Sequence, residues 1–492
     1  MLKPFLRPIF IFLIVAALLD AGQFTALTQE TALTQEPDVA VTVAVTDVVT
    51  RKPCRIEVRE QGTRLPVPLV ELRTTHQQRF VTDNAGVIAL DSPELMGRET
   101  WFDVNGYGYC VKKDGLGMNG VRLTPEYGKT LHVEVQRDII AKRLGRLTGA
   151  GLFAESQKLG EFSQTLETGV FGCDSVQAAV YHGRLFWIWG DTTLAHYPLG
   201  IFHATAATTD VAPFTTLEPP LRLNYHYFTD SAKKPRGVAV MPGDGPTWLS
   251  GCVVLPDKEG IQQLVAVYAK IHPPLEVYEY GLCVWNDTKK SFEHLRTVWK
   301  KEQNSHPHSH LLKPFVPEGH ALLWTDKQGK QWALFGDPFP RLRCPATYEA
   351  WQNPDQWEKL TPPSTLISAK EHSPIEPHSG SIAWNEFRQR WIAVFMQKFG
   401  KPAAFGEVWY AESDEPTGPW GNAVKILSHG NYTFYNPCLH AEALPSNTKI
   451  LLFEGTFAAM FADKPDVVPR YDYTQILYRL DLDDPVLAPA QK

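Results

Sequence analysis

No two cysteines in this 492-residue chain are spaced as CxxC. The seven stand singly at 54, 110, 173, 252, 283, 344 and 438, so no zinc framework is spelled out. An excess of either charge is also lacking. With 48 basic and 54 acidic residues the net charge is −6, and no strongly basic surface for nucleic acid is indicated. After the first 20 or so residues no apolar run is long enough to cross a membrane. What is present is an ordinary globular composition with 14 Trp and 17 Tyr, rings enough for a core and for surfaces that stack on sugars.

Lys3 and Arg7 precede an apolar run over 9–19, with small residues at Ala21 and Gly22. This is the pattern of a secretory signal over 1–22, with an uncleaved anchor as the alternative. The expected location is outside the cytoplasm, periplasmic or extracellular, with no membrane contact once the signal is removed. In that setting Cys54 and Cys110 could pair, while the odd cysteine count leaves at least one thiol over and most are expected to be buried and free. Residues 23–38 read as a linker, because the unit Thr25 to Glu30 is repeated as Thr31 to Glu36 ahead of Pro37.

Residues 39–137 change to short β runs. Val39 to Val49, Pro66 to Arg73, Gln78 to Thr82 and Val87 to Leu90 are apolar and β-branched, with turn chemistry at Asp83 to Gly86. A small β-sandwich is expected, and the stretch resembles transthyretin-like and carboxypeptidase-regulatory modules. That resemblance implies a supporting role without chemistry of its own. Residues 138–160, basic and then Gly-rich, read as a junction.

From 161 to 487 hairpins recur at intervals of about 60–75 residues, a period that fits propeller blades. They run from Asp174 to Asp191, Trp248 to Lys270, His320 to Asp337, Ser379 to Gln397 and Asn436 to Glu454. Gly183 to Asp191 and Gly329 to Asp337 are the most alike. The fold class expected is all-β: a five-bladed β-propeller preceded by a small β-sandwich.

In such a blade the start of the first strand and the end of the second face one mouth of the central channel. This collects Asp174 and Asp191 from blade 1, His320 and Asp337 from blade 3, His378 and Gln397 from blade 4, and Asn436, His440 and Glu454 from blade 5. Blade 2 offers Ser250 and Lys270. Asp174 and Asp191 mirror each other about a turn between His182 and Gly183, so paired arms would set two carboxyls side by side. Two carboxyls are what cleavage of a glycosidic bond needs, and crowding pushes their proton affinities apart. Both aspartates also suit plain turn or strand-end bonding.

Several further groups are candidates. Tyr197, Tyr225, Phe339 and Phe457 could stack on sugars or fill the core. His306, His308 and His310 alternate as metal ligands would, though a solvated polar loop between blades is the favoured reading. Glu407 and Glu412 are expected at the surface. No metal site or cofactor is implied; the channel centre could hold a structural cation, for which the sequence carries no signature.

The segments Gly172-Cys173-Asp174, Trp189-Gly190-Asp191-Thr192-Thr193, Tyr435-Asn436-Pro437-Cys438-Leu439-His440 and Leu451-Leu452-Phe453-Glu454 resemble five-bladed propeller glycoside hydrolases of the endo-D-arabinanase-like group. The resemblance covers roughly 160–485. It implies hydrolysis of a polysaccharide or oligosaccharide, with furanoside-rich polymers such as arabinan in view, and catalysis by the first-blade aspartates Asp174 and Asp191. The other channel-mouth residues are expected to contact substrate. The acids that arabinanases and xylosidases carry on their second and third blades have no assignable match here. A polysaccharide lyase using His and Tyr, or a glycan-binding propeller without catalysis, are the alternatives.

Overall fold

Alternating apolar runs closed by Gly- and Asp-containing turns fold into antiparallel ribbons, because one polar turn lets each run cover its neighbour's backbone donors and acceptors. The structure is a computed structural model and describes residues 51–491 except 165–167, 212–216, 274, 302–313, 442–443, 446 and 463–465. The expected signal, the repeated hexapeptide, the β run at 39–49 and the loop with His306, His308 and His310 lie outside the described residues.

The chain is almost wholly β. Two four-stranded sheets form the N-terminal sandwich, and one core drawn from both faces holds them together, including Ile56, Val58, Leu72, Leu90, Phe102, Val104, Val133 and Val135. Among the described residues five further four-stranded sheets follow as blades. Blade 1 is built on Gln177–Tyr181 and Arg184–Trp189, blade 2 on Thr247–Pro256 and Gln262–His272, and blade 3 on His320–Thr325 and Gln331–Gly336. Blade 4 is built on Pro377–Asn385 and Arg390–Gln397, and blade 5 on Thr433–Leu439 and Ile450–Ala458. The first strands pack against one another in chain order, 1 on 2 through 4 on 5, which is the inner wall of a five-bladed propeller.

Inner-strand irregularities tie the ring together. The ladder slips between Ser250 and Val253, Pro377 and Gly380, and Tyr435 and Cys438, and each slip frees backbone donors that must be met. Neighbouring blades meet them: Cys252 N–H donates to Gln177 Oε1 at 2.8 Å, Gly319 N–H to Ser250 Oγ at 2.8 Å and Gly380 N–H to Asp337 Oδ1 at 2.7 Å. Leu439 N–H donates to Ser381 Oγ at 2.7 Å, and Ser175 N–H donates to Thr456 Oγ1 at 3.1 Å, which joins blade 5 back to blade 1.

The stretch 138–160, read from sequence as a junction, is corrected by the structure. Lys142–Arg146 is the outermost strand of blade 5, antiparallel to Thr474–Asp481, so the two ends of the propeller close one sheet. Its sequence lacks apolar alternation; its partner supplies the strand. The same segment holds the sandwich. The Arg143 guanidinium is 3% exposed and donates to the carbonyls of Pro68, Leu69, Gly106 and Tyr107 and to Tyr478 Oη. Tyr471 Oη adds a bond to Thr82 O at 2.8 Å and accepts from Leu69 N–H at 3.1 Å. Truncating Arg143 would strand buried carbonyls at the joint, a loss of about 1–3 kcal/mol for a buried acceptor left unmet.

No disulfide forms among the seven cysteines; Cys54 and Cys110 are both free, and the other five are buried thiols. Glu407 and Glu412, expected at the surface, are each 1% exposed. Their strand, Glu407–Ser413, is covered on both faces, and Lys425 and Arg388 supply the compensating charges at 2.7 and 2.6 Å. Among the described residues no helix is long and apolar enough to cross a membrane.

Candidate active site

Blade 1 pairs in the register its sequence predicts. Gln177 faces Ile188 and Tyr181 faces Arg184, about a turn whose central residues His182 and Gly183 have φ of 49° and 75°. Two left-handed residues are what a tight hairpin turn requires. Asp174 lies before the strand, and its carbonyl accepts from Gly190 N–H at 2.8 Å, which sets the approach to the first strand beside the end of the second. Between Asp174 and Gln177 the chain bends at Ser175, whose φ of 55° is left-handed. Asn436, with φ 51°, stands against it and donates from Nδ2 to Ser175 Oγ at 2.7 Å. Two non-glycine residues held in this region beside one carboxylate mark a strained, supported site.

The Asp174 carboxyl rests over Gly190, where a Cβ would come within 2.3 Å of its Oδ1. Its Oδ2 accepts from Tyr435 Oη at 3.0 Å, and Tyr473, the Ser175 side chain and the Asp191 backbone also hydrogen-bond it. Asp191 is 5% exposed, and its Oδ1 accepts from Trp248 Nε1 of blade 2 at 2.8 Å. Burial is the largest influence on both. It raises Asp174 to about 6 against the pull of its four hydrogen-bonding neighbours, and raises Asp191 to about 7, where the nearby Asp174 charge adds to burial and Trp248 opposes it. Burial together with the Asp174 charge pushes the Tyr435 and Tyr473 phenols well up, so both remain donors at neutral pH.

The structure gathers Asp174, Asp191 and Asn436 at this spot and distributes the other expected residues. In blade 3, His320 is half-buried and faces Gly336, so Asp337 falls one residue past the pair; its Oδ1 accepts from Ser379 Oγ at 2.8 Å as well as from Gly380 N–H. In blade 4, Gln397 faces Pro377 and accepts from Trp409 Nε1 at 3.1 Å, while His378 lies against the Phe405 ring at 5.1 Å.

His440 and Glu454 correct an expectation. Both are 0% exposed and bond each other, Nε2 to Oε1, at 2.8 Å, with the His440 ring 5.0 Å from that of Trp187. The slip between Tyr435 and Cys438 sets Cys438 opposite Glu454, and the contact with Trp187 places the pair in the packing between blades 5 and 1. Lys270 is likewise 1% exposed, its ammonium enclosed by Met241 O, Gly245 O and Thr247 Oγ1. Of the rings proposed to stack on sugars, Tyr225, Phe339 and Phe457 are core, at 4%, 3% and 0% exposure, and Tyr197 is exposed.

Sequence reasoning missed Tyr435, Tyr473 and Trp248 as partners of the acids. Tyr435 adjoins Asn436 and Trp248 opens the blade 2 hairpin, so their positions at strand starts were a usable signal. Tyr473, in the approach to a third strand, offered none. Among the described residues no group of three or more His, Cys, Asp or Glu side chains is gathered to hold a metal ion.

No family model matches the sequence, and neither does any curated protein. Among solved structures the chain is similar to an exo-1,5-α-L-arabinanase from a bovine ruminal metagenomic library, with 10% identity and a TM-score of 0.37 over 64% of this chain and 94% of that one. It is similar to a putative exo-β-1,3-galactanase from Bifidobacterium bifidum s17, with 11% identity and a TM-score of 0.40 over 70% and 94%. An N-acetylgalactosamine deacetylase from F. plautii is as similar, with 8% identity and a TM-score of 0.39 over 72% and 98%. Likeness this loose, shared by proteins named for different reactions, carries no argument about chemistry.

Proposed function

We propose that this protein is a glycoside hydrolase acting on a polysaccharide or oligosaccharide, with Asp191 as general acid and Asp174 as base or nucleophile. The observation that carries the reading is the unequal support of two neighbouring carboxyls at one end of the blade 1 hairpin, Asp191 buried and Asp174 half-buried. Asp174 is held by Tyr435, Tyr473, Ser175 and the Asp191 backbone, all of which favour its anion. Asp191 has Trp248 as its side-chain donor and lies beside that anion, so it keeps its proton to higher pH. In the reaction Asp191 gives this proton to the glycosidic oxygen as the bond from that oxygen to the anomeric carbon breaks. Asp174 meets the developing positive charge, either by bonding to the carbon or by taking a proton from an attacking water. The rate should rise through about pH 6 and fall through about pH 7.

A lyase would need an anionic tyrosine or a free base at the mouth. Tyr435 and Tyr473 are pushed away from ionisation, which disfavours that route. The leader pattern at 1–22 supports action outside the cytoplasm, and the sandwich, fixed through Arg143, supports a structural role for that domain. The test is turnover of Asp174→Asn and Asp191→Asn on arabinan, galactan and xylan, followed by reducing-end release. Both should lose at least about 100-fold against a polymer that the wild type degrades. Near-normal rates in both would end the assignment, and ultraviolet-absorbing unsaturated products would replace hydrolysis with elimination.

A further inference from the structure

Beside the two aspartates the mouth carries a line of rings that the reaction itself does not use. Phe399 is 61% exposed, and Phe405 and Phe461 are half-buried. Phe461 packs edge-on against Tyr435 with centroids 6.2 Å apart, Phe405 against Phe461 at 5.8 Å, and Phe399 against Phe405 at 5.8 Å. Tyr435 is the residue that donates to Asp174, so the line begins at a reacting carboxyl and ends in solvent.

Topology explains why these rings meet. Phe399 and Phe405 flank the turn between the second and third strands of blade 4, Arg390–Gln397 and Glu407–Ser413; Phe461 follows Ile450–Ala458 at the same place in blade 5. Second strands end at the mouth that Asp174 and Asp191 share.

The backbone pays for this display. Phe399 and Phe461 have φ of 52° and 64°, the left-handed region that bulky side chains rarely adopt. Glycine would be the relaxed choice at either position. The Phe399 ring packs on Phe405 and carries the Lys398 ammonium 5.8 Å from its centroid, yet most of it stays in water. Phenylalanine also offers no hydrogen bond, so its partner must present an apolar face. Sugar rings have such faces of C–H groups.

We propose that Phe461, Phe405 and Phe399 form a binding track for a glycan chain running outward from Asp174 across blades 5 and 4, so that the preferred substrate is a polymer or long oligosaccharide. The inference rests on the glycosidase reading for the occupant and adds the extent and direction of binding. Continuity with the carboxyl pair through Tyr435 favours a glycan over a second copy of this chain.

The experiment uses the full chain and Phe399→Ala, whose exposed ring can be removed without opening the core, with Phe405→Leu as a milder second variant. Affinity electrophoresis in gels containing arabinan, galactan or xylan reports binding; turnover of the retarding polymer and of the shortest p-nitrophenyl glycoside cleaved reports catalysis. We expect Phe399→Ala to weaken retardation and raise KM for the polymer about tenfold, with kcat and short-glycoside turnover within about twofold of wild type. Unchanged retardation and KM in both variants would overturn the track, as would wild-type protein that no polymer retards. A change in sedimentation without a change in retardation would assign the rings to self-association and also overturn it. Asp191→Asn separates the two readings. If it is active while Phe399→Ala loses retardation, the track stands and the acid assignment falls; if it is inactive and Phe399→Ala binds normally, the reverse holds.

Discussion

Blades 1 and 3 frame their second strands alike, with Gly183 and Gly190-Asp191 in one and Gly329 and Gly336-Asp337 in the other, yet the two aspartates have different surroundings. In blade 1 the space over Gly190 is filled by a side chain, the Asp174 carboxylate, and Asp191 turns into a buried position against Trp248. In blade 3 the space over Gly336 is filled by backbone, the Phe339 carbonyl, within 2.0 Å of where a Cβ would stand. Asp337 there is exposed and reaches into blade 4, holding Ser379 and Gly380. A Gly-Asp pair at a strand end supplies an acid; the blade it faces decides whether that acid is buried beside a second carboxyl or exposed and bonded as a strut.

The comparison breaks most sharply at the carboxyls. Asp174→Asn or Asp191→Asn should lower turnover by about 10²–10⁴, whereas Asp337→Asn should stay within about threefold and lose about 1 kcal/mol in denaturant unfolding, since an amide oxygen can still accept. Equal losses from Asp337→Asn and Asp191→Asn would mean that the blades are chemically equivalent.

Next come the glycines. Gly190→Ala drives a methyl into the Asp174 carboxylate, so turnover should fall about 100-fold at little change in melting temperature. Gly336→Ala meets backbone and should show the opposite: a lowered melting temperature and, in the protein that remains folded, near-normal turnover.

Stability against pH gives a smaller effect of fixed sign. Asp174 and Asp191 bind protons more tightly when folded than the ordinary aspartate value of about 3.9 in the unfolded chain. Their contribution to stability is therefore complete below about pH 4 and lost as pH rises through about 6 and 7. Asp191→Asn should gain stability relative to wild type between pH 4 and pH 8, by on the order of 1–3 kcal/mol, as urea titrations would report.

The finest effect is at Trp248. Its N–H favours the Asp191 anion, so Trp248→Phe should move the alkaline limb of the rate profile upward by about one pH unit. A downward move would take the acid's role from Asp191.

Much of the architecture was legible because period-2 patterns and turn residues are local. His182-Gly183 announced its hairpin and fixed the register of blade 1. The expected mirrors failed in two ways: His320 meets Gly336 in an unbroken ladder, one residue from Asp337, and Cys438 meets Glu454 beyond the slip that follows Tyr435. A bulge is selected by what the neighbouring blade offers its freed donors, such as Ser381 for Leu439, and no window of sequence contains both partners. Lys142–Arg146 escaped for the same reason, being a strand only against residues more than 300 positions later. His440 and Glu454 looked like mouth residues because polarity suggests exposure; a buried pair satisfies its charge internally instead.

By itself the sequence determined that hairpins recur, that a sandwich precedes them and that blade 1 sets Asp174 beside Asp191, since hairpin register follows from alternation and the turn. The tertiary structure decided which polar residues reach the mouth and how tightly each acid holds its proton. Those properties come from Tyr435, Tyr473 and Trp248, groups brought in from other blades. Burial and hydrogen bonding act through space, and only the closed ring sets those distances.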